Sequence, residues 1–327
     1  MLASSTFFKL FPPPKFLLMP HAGLDISDDA LACIGYTGAR HNKRLSTYGY
    51  ADLPNGLIDG GDIKDEKEFI SRLADFAKAH DLSYVKVSVP EEKSYLFGTD
   101  VPSGQFDSIE QNIEFKLEEN VPLSAPDALF YFDLVPASFA TGTLRANVSV
   151  VPRTYIEHQI SLLKQAGLRP VAFEVVPKSI ARSIAVPDKF DTRLIIHVMN
   201  KKTGIYIVSG NVVNFASTVP VGGGNTDPAA TSAAIASLSK EIDRVESYWA
   251  SHGTGQPITE AILVGRHSPA FEPACEHSKS DKPMSVHVAD IWMNAFSVDK
   301  YLPPISREDS LVYATASGLA LDPSAGD

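Results

Sequence analysis

One hydrophobic pattern occurs twice, half a chain apart. Ala22-Gly23-Leu24-Asp25-Ile26-Ser27-Asp28-Asp29 runs from apolar to polar, and apolar positions resume from Ala30 to Tyr36. Leu194-Ile195-Ile196-His197-Val198-Met199-Asn200-Lys201-Lys202-Thr203-Gly204-Ile205 does the same, its second run continuing to Val208. An apolar run that stops at a polar turn and starts again reads as a hairpin of strands, and two such hairpins predict an internally duplicated α/β protein. After the first hairpin, a Gly/Asp-rich turn at 55–62 leads to a helix around 65–80, with Phe69, Leu73, Phe76 and Ala77 at helical spacing. A strand, Tyr84 to Val89, stops at Pro90. A helix near 107–120 follows, with Ile109, Ile113 and Leu117 on one face, and Pro122 ends it. Strands near 129–135 and 144–151 then precede a helix near 154–166 that terminates at Gly167. Residues 91–170 therefore read as a small α/β insert.

The second half continues with strands near 205–208 and 212–219 and reaches Gly222-Gly223-Gly224. Asp227 is placed as an N-cap and Pro228 as the first residue of a long helix whose apolar stripe is Ile235, Leu238, Ile242, Val245 and Trp249. A buried strand, Ala261 to Val264, ends at Gly265, and a last helix from about Ser310 buries Leu311, Ala314, Leu319 and Leu321.

Composition narrows the function classes. A chain of 327 residues with 44% hydrophobic content can bury a large core and suits two domains. A formal charge of −10 opposes nucleic-acid binding through basic patches. Cys33 and Cys275, with no CxxC partner, read as two buried thiols in a reducing compartment. Near the start, Phe7, Phe8, Leu10, Phe11, Phe16, Leu17 and Leu18 are apolar, but Pro12-Pro13-Pro14 break the run. No stretch reaches the roughly 20 apolar residues of a spanning helix, so we expect residues 1–20 to lie extended along the folded body. The acidic end of the chain carries no basic amphipathic tail, so direct membrane insertion is not expected.

Chemistry is sparsely signalled. No P-loop, GxSxG, HExxH or GxGxxG pattern is present. His267, Cys275, Glu276, His277 and His287 lack tight metal-ligand spacing. Asn147-Val148-Ser149 is a chance sequon in a chain read as unexported. In a duplicated fold, each hairpin turn faces the cleft between the halves. There an Asp can hold a water of a bound Mg²⁺, and a Gly lets backbone N–H groups approach an anion. Asp25, beside Gly23 and Ser27, is the leading candidate, weighed evenly against a turn-capping aspartate. The triple glycine at a helix N-terminus either binds an anion or is a plain strand-to-helix turn.

Five further segments join these motifs in order: Leu57-Ile58-Asp59-Gly60-Gly61-Asp62-Ile63, Ser88 to Tyr95, Leu117 to Leu123, Ala166 to Pro170 and Ala316 to Leu321. With Phe11 to Leu17 and Gly23 to Ser27, they resemble the type IV pilus assembly protein family PilM, an actin-like relative of the cell-division protein FtsA. The resemblance implies an actin-like, duplicated ribonuclease H-like fold. Its first domain is 21–190 with the insert at 91–170, its second is 191–310, and 311–327 returns to the first. It implies ATP or ADP with Mg²⁺ as cofactor, with Asp25, Ser27, Thr203, Gly222, Gly223, Gly224, Glu241, Arg244 and Gly265 as candidate nucleotide contacts and Asp25 as the metal's water-mediated partner. It implies a cytoplasmic scaffold that grips the N-terminal tail of a membrane protein, PilN, and couples the pilus motor ATPase to the inner-membrane platform. Four positions depart from the family's pattern: Ala32 replaces an expected Lys, His197 an Asp, Met199 a Gly, and Arg266 the second Gly of a pair. Losing a carboxylate and bare backbone should cripple phosphoryl transfer, which depends on positioning and charge neutralisation. The expectation is a pseudo-ATPase or weak nucleotide binder, set against two rivals: an active actin-fold ATPase or small-molecule kinase, and an FtsA-like filament protein.

Overall fold

The computed structural model describes residues 20–38, 43–102, 104, 106–138, 143–184, 191–225, 227–252, 256–276, 284–297 and 299–321. The expected extended segment before Pro20, His277 and the tail after Leu321 lie outside them.

The first half forms β1 (Ala22–Ile26), β2 (Ala30–Thr37), β3 (Arg44–Asp52), a short hairpin of β4 (Ile58–Asp59) and β5 (Asp62–Ile63), helix α1 (Glu66–Ala79) and β6 (Tyr84–Val89). Then come β7 (Tyr95–Pro102), α2 (Phe106–Asn120), β8 (Ala128–Ser138), β9 (Thr143–Pro152), α3 (Arg153–Gln165), β10 (Arg169–Val175) and α4 (Val176–Ile184). The second half forms β11 (Thr192–Val198), β12 (Thr203–Ser209), β13 (Val212–Val219), α5 (Pro228–His252), β14 (Ile258–Val264), α6 (Glu272–Glu276), β15 (Ser285–Val288), α7 (Arg307–Ser310) and α8 (Ala314–Ala320).

The duplication is visible in strand order. One sheet runs β3-β2-β1-β6-β10 and the other β13-β12-β11-β14-β15. In each, the first three strands of the half meander antiparallel and the last two run parallel to the first. The helix crossing from meander to parallel strand is α1 in one lobe and α5 in the other. Asp65 N-caps α1 by accepting from the Glu68 N–H, and the Asp227 carboxylate does the same for Ala230 at 3.1 Å in α5, each such cap being worth ~1 kcal/mol.

Both sheets are covered on both faces, which is why their central strands read as near-continuous apolar runs. Alternate residues go to different cores. Leu31 and Cys33 of β2 face α1 and α3, while Ala32 and Ile34 face the middle of the molecule. Leu194, Ile196 and Val198 of β11 pack on α5, while Ile195 joins the middle. That middle core draws on both sheets, on α4 and α8, and on Ile291, Trp292 and Phe296. The two lobes thus share one continuous hydrophobic core. Close approach of α8 makes this possible: a Cβ on Gly318 would stand 1.7 Å from the Ser179 carbonyl oxygen of α4, and one on Gly23 would stand 2.0 Å from that of Ala316. Gly23, read from sequence as room for an anion, is filled by the chain's own helix.

Of the segment expected as an insert, Tyr95 to Pro152 form a separate three-stranded sheet, β7-β9-β8, with α2 on one face. Helix α3 instead packs Leu162 and Leu163 into the first lobe's core, and β10 pairs with β6 as that lobe's outer strand. The inserted sheet also touches the second lobe, where the Asn147 side-chain amide donates to Asn214 Oδ1 at 2.9 Å.

Candidate functional site

Two concave regions stand out, and they differ in kind. The first is the cleft where the turns of the two hairpins meet. It retains a cavity of about 70 Å³, lined among others by Asp25, Ser27, Asp29, Ala32, Tyr50, His197, Met199, Asn200, Gly265, Arg266 and His267. Small-molecule sites usually enclose ~300 Å³ or more. This one has room for a few waters.

The residues that read as nucleotide contacts are engaged with the protein itself. Asp25 accepts hydrogen bonds from Ser88 and Thr315; burial pushes its carboxyl up to about 6, against the pull of those bonds and of Lys202. Ser27 closes its own turn, its hydroxyl donating to the Ala30 carbonyl at 3.1 Å and accepting from the Ala30 N–H at 3.0 Å. Thr203 is buried and donates to the Val221 carbonyl at 2.6 Å. The Gly223 and Gly224 amides donate to the carbonyls of Met199 and Asn200 at 2.8 and 2.9 Å, and a Cβ on Gly222 would meet the Asn200 oxygen at 2.2 Å. The triple glycine therefore packs against the second hairpin's turn. Gly265 has φ +99°, and a side chain there would strike the Val198 carbonyl at 2.2 Å; its freedom serves strand packing. Glu241 and Arg244 pair with each other at 2.5 Å on α5, away from the cavity wall. So the structure brings Asp25, Ser27, Ala32, His197, Met199, Gly265 and Arg266 to one cavity and leaves Thr203, Gly222, Gly223, Gly224, Glu241 and Arg244 outside its lining.

Across the cleft the walls carry opposite charge. The first lobe presents Asp28, Asp29 and Glu92, and the second presents Lys201, Lys202 and Arg266. The Lys202 ammonium reaches Asp28 Oδ2 at 2.9 Å and Glu92 Oε1 at 2.5 Å, and Lys201 lies 3.8 Å from Asp29. Burial works to raise the Asp28 carboxyl, but Lys202 and the Gly61 and Gly60 amides hold it below the usual range. Arg266 lies over the Tyr50 ring, 4.5 Å from its centroid. Glu91 hydrogen-bonds the Tyr206 hydroxyl, and burial pushes its carboxyl up to about 8. His197 is pushed down to about 4, chiefly by burial and then by Lys202, and its buried Nδ1 has no hydrogen-bond partner among the described residues. It is a neutral imidazole at pH 7 and supplies no metal-binding charge. Sequence reasoning missed Asp28, Glu91, Glu92 and Lys202; the paired acids of one turn and the paired lysines of the other were the available signal.

The second region is a groove of about 500 Å³ between the inserted sheet and the first lobe. Its rims are β8 and β10, each the outer strand of its sheet, with no further strand paired to either among the described residues. Leu129, Phe130, Val151, Ile156, Phe173 and Val175 give it an apolar lining. Two of its lining cations are paired with neighbouring carboxylates. Lys178 of α4 contacts both Asp133 oxygens at 2.7 and 2.9 Å and lies over the Tyr131 ring, while Arg182 makes a two-pronged pair with Glu174.

Strand order, duplication and inserted sheet define an actin-like fold. Among solved structures, PilM of a "PilM-PilN type IV pilus biogenesis complex" shares it, with a TM-score of 0.75 and 15% identity over 92% of this chain and 98% of that one. The cytoplasmic domain of EpsL, an inner-membrane component of the Vibrio cholerae type II secretion system, aligns at a TM-score of 0.48 and 11% identity over 90% and 93% of the two chains. The ethanolamine utilization protein EutJ of Carboxydothermus hydrogenoformans aligns at 0.49 and 10% over 94% and 90%. No protein-family model and no curated protein sequence matches the chain. No helix among the described residues is long and apolar enough to cross a membrane.

Proposed function

We propose that this chain is an actin-like scaffold of a type IV pilus assembly machine, which binds the N-terminal tail of a PilN-like inner-membrane protein in the groove between β8 and β10 and does not turn over nucleotide. One contrast carries the reading: the groove is large, apolar and bordered by strand edges with no further strand paired to them among the described residues, whereas the cavity between the lobes is small. An extended peptide can hydrogen-bond to a free strand edge while its alternate side chains fill apolar pockets. The groove offers both edges and pockets, and the Lys178 and Arg182 pairs demand no counter-ion from the occupant. The fold shared with PilM of a PilM-PilN complex supports this choice of partner. The protein would then sit at the cytoplasmic face of the inner membrane through that partner, beside the pilus motor ATPase.

Isothermal titration tests the proposal directly. A synthetic PilN-like tail should bind saturably without ATP, and Mg·ATP should give no heat. Tight Mg·ATP binding with turnover lost in Asp25→Ala would replace this reading with an ATPase or kinase.

A further inference from the structure

We infer that Lys202 is a built-in counter-ion, tying the two walls of the cleft together through its ammonium. The inference rests on the degenerate-cleft part of the proposed function and adds what does the closing. Lys202 projects from the second hairpin's turn. It crosses to a carboxylate on the first hairpin's turn, Asp28, and to a second, Glu92, on the 91–93 turn after β6. Its side chain keeps only 15% of its exposure, as Asp28 keeps 14%, so both are largely withdrawn from water.

Nothing about these acids suits an empty cleft. Asp28 also accepts the Gly60 and Gly61 amides at 3.2 and 3.0 Å, bonds within the first lobe that hold the carboxylate independently of Lys202. Asp25 and Glu91 feel the same ammonium. The partly buried Asp28 and Glu92 carboxylates need a cation, since unpaired buried charge is costly. In this chain the cation is covalently attached to the opposite lobe, so neutralising the acids and closing the cleft are one event. Lys201 near Asp29 and Arg266 over Tyr50 add weaker ties at the rim.

If the ammonium is a stand-in, removing it should leave two unpaired carboxylates, Asp28 and Glu92, that a soluble divalent cation can bridge. The test uses the full chain and compares wild type, Lys202→Met, Lys202→Arg and the double variant Lys202→Met/Asp28→Asn by thermal melting in EDTA and in millimolar manganese(II). Wild type and Lys202→Arg should melt alike in both buffers. Lys202→Met should melt about 5 °C lower in EDTA and recover most of that loss in manganese(II), in a concentration-dependent way. The double variant should lose the manganese response. A Lys202→Met protein that melts like wild type, or whose loss manganese(II) leaves unchanged, overturns the inference. Should Lys202→Met not fold in EDTA, folding in manganese(II) supports it and failure in both overturns it. Tail-peptide and Mg·ATP titrations on the wild-type sample separate the two readings: ATP binding there sinks the degenerate cleft, whereas a missing manganese response alone sinks only the counter-ion.

Discussion

The cleft between the lobes and the groove beside the inserted sheet are both concave and both lined by charged residues, yet the cavity left in the cleft is about 70 Å³ and that of the groove about 500 Å³. The difference lies in where the charges find partners. In the cleft, acids on one wall meet cations on the other, so closing it satisfies both. In the groove, Asp133 and Lys178 bind each other, as do Glu174 and Arg182, so neither wall gains by approaching the other. What remains in the groove is apolar surface and strand edge, which only a further chain can cover. Between the regions lie α4 and α8. The Arg182 guanidinium that pairs with Glu174 in the groove also donates to the Gly318 carbonyl of α8 at 3.1 Å, and Thr315 of the same helix hydrogen-bonds Asp25 in the cleft.

The hardest blow to this arrangement is a substitution at the helix contact supporting both regions. In Gly318→Val the new side chain would begin 1.7 Å from the Ser179 carbonyl, a backbone atom that cannot swing aside. We expect a loss of at least ~3 kcal/mol in urea unfolding, the upper range for overpacking, with tail binding lost alongside. A wild-type midpoint would show that α4 and α8 are not the shared support.

The groove alone should be blocked by Ala172→Trp, which places an indole among the lining residues. Tail affinity should fall about 30-fold, or ~2 kcal/mol, read by isothermal titration. Melting should hardly move, because the groove is open and an added ring displaces only solvent. Unchanged affinity would put the tail elsewhere.

The cleft should declare itself through pH. Glu91, raised to about 8, keeps a proton in the folded state that it loses on unfolding between pH ~4.5 and 8. Stability therefore falls as pH rises through that window and levels off above it. Asp25, raised to about 6, contributes a fall over roughly pH 4 to 6. His197, lowered to about 4, contributes a rise over about pH 4 to 6.5, because the unfolded imidazole binds the extra proton. These two oppose each other, which leaves Glu91 dominant from about pH 6.5 to 8. Up to ~2 kcal/mol should be lost there, measured by denaturant unfolding, and Glu91→Gln should flatten the profile. A flat wild-type profile over that range would remove Glu91 from the enclosed part of the cleft.

These two regions were not equally legible in the sequence. Both hairpins announced themselves because their strands are buried on both faces, and strands 212–219 and 84–89 were read with the boundaries the structure shows. The departures at Ala32, His197, Met199 and Arg266 were named from the family resemblance and not from the hairpin pattern. What the sequence hid was the partner of each charge: Lys202 and Asp28 are 174 positions apart, and no local pattern links them. The groove was hidden more deeply. β10 opens with Arg169-Pro170 and changes register between Pro170 and Ala172, which breaks the alternation that marks a strand. α4 has only 9 residues, too few for its periodicity to stand out. β3 and β7 escaped for a different reason, since exposed and half-exposed positions interrupt their apolar pattern.

The smallest effect falls to the stopper at the cleft's rim. Arg266 replaces an expected glycine, and its exposed guanidinium covers Tyr50, whose ring meets Tyr313 edge to face with centroids 6.5 Å apart. A cation over an aromatic face at such a site contributes ~0.5–1 kcal/mol, so Arg266→Gly should lower the unfolding free energy by about that much, plus a few tenths for the added backbone freedom of glycine. It should also enlarge the cavity at its mouth. If Arg266 were what keeps nucleotide out, Mg·ATP would now bind. We expect no such gain, because Lys202 still bridges the walls and Met199 and His197 still occupy the turn. Titration of Arg266→Gly with Mg·ATP, beside the same titration of Lys202→Met, therefore tells which side chain governs the cleft: heat from the first variant alone would assign closure to the rim and take it away from the ion pairs beneath.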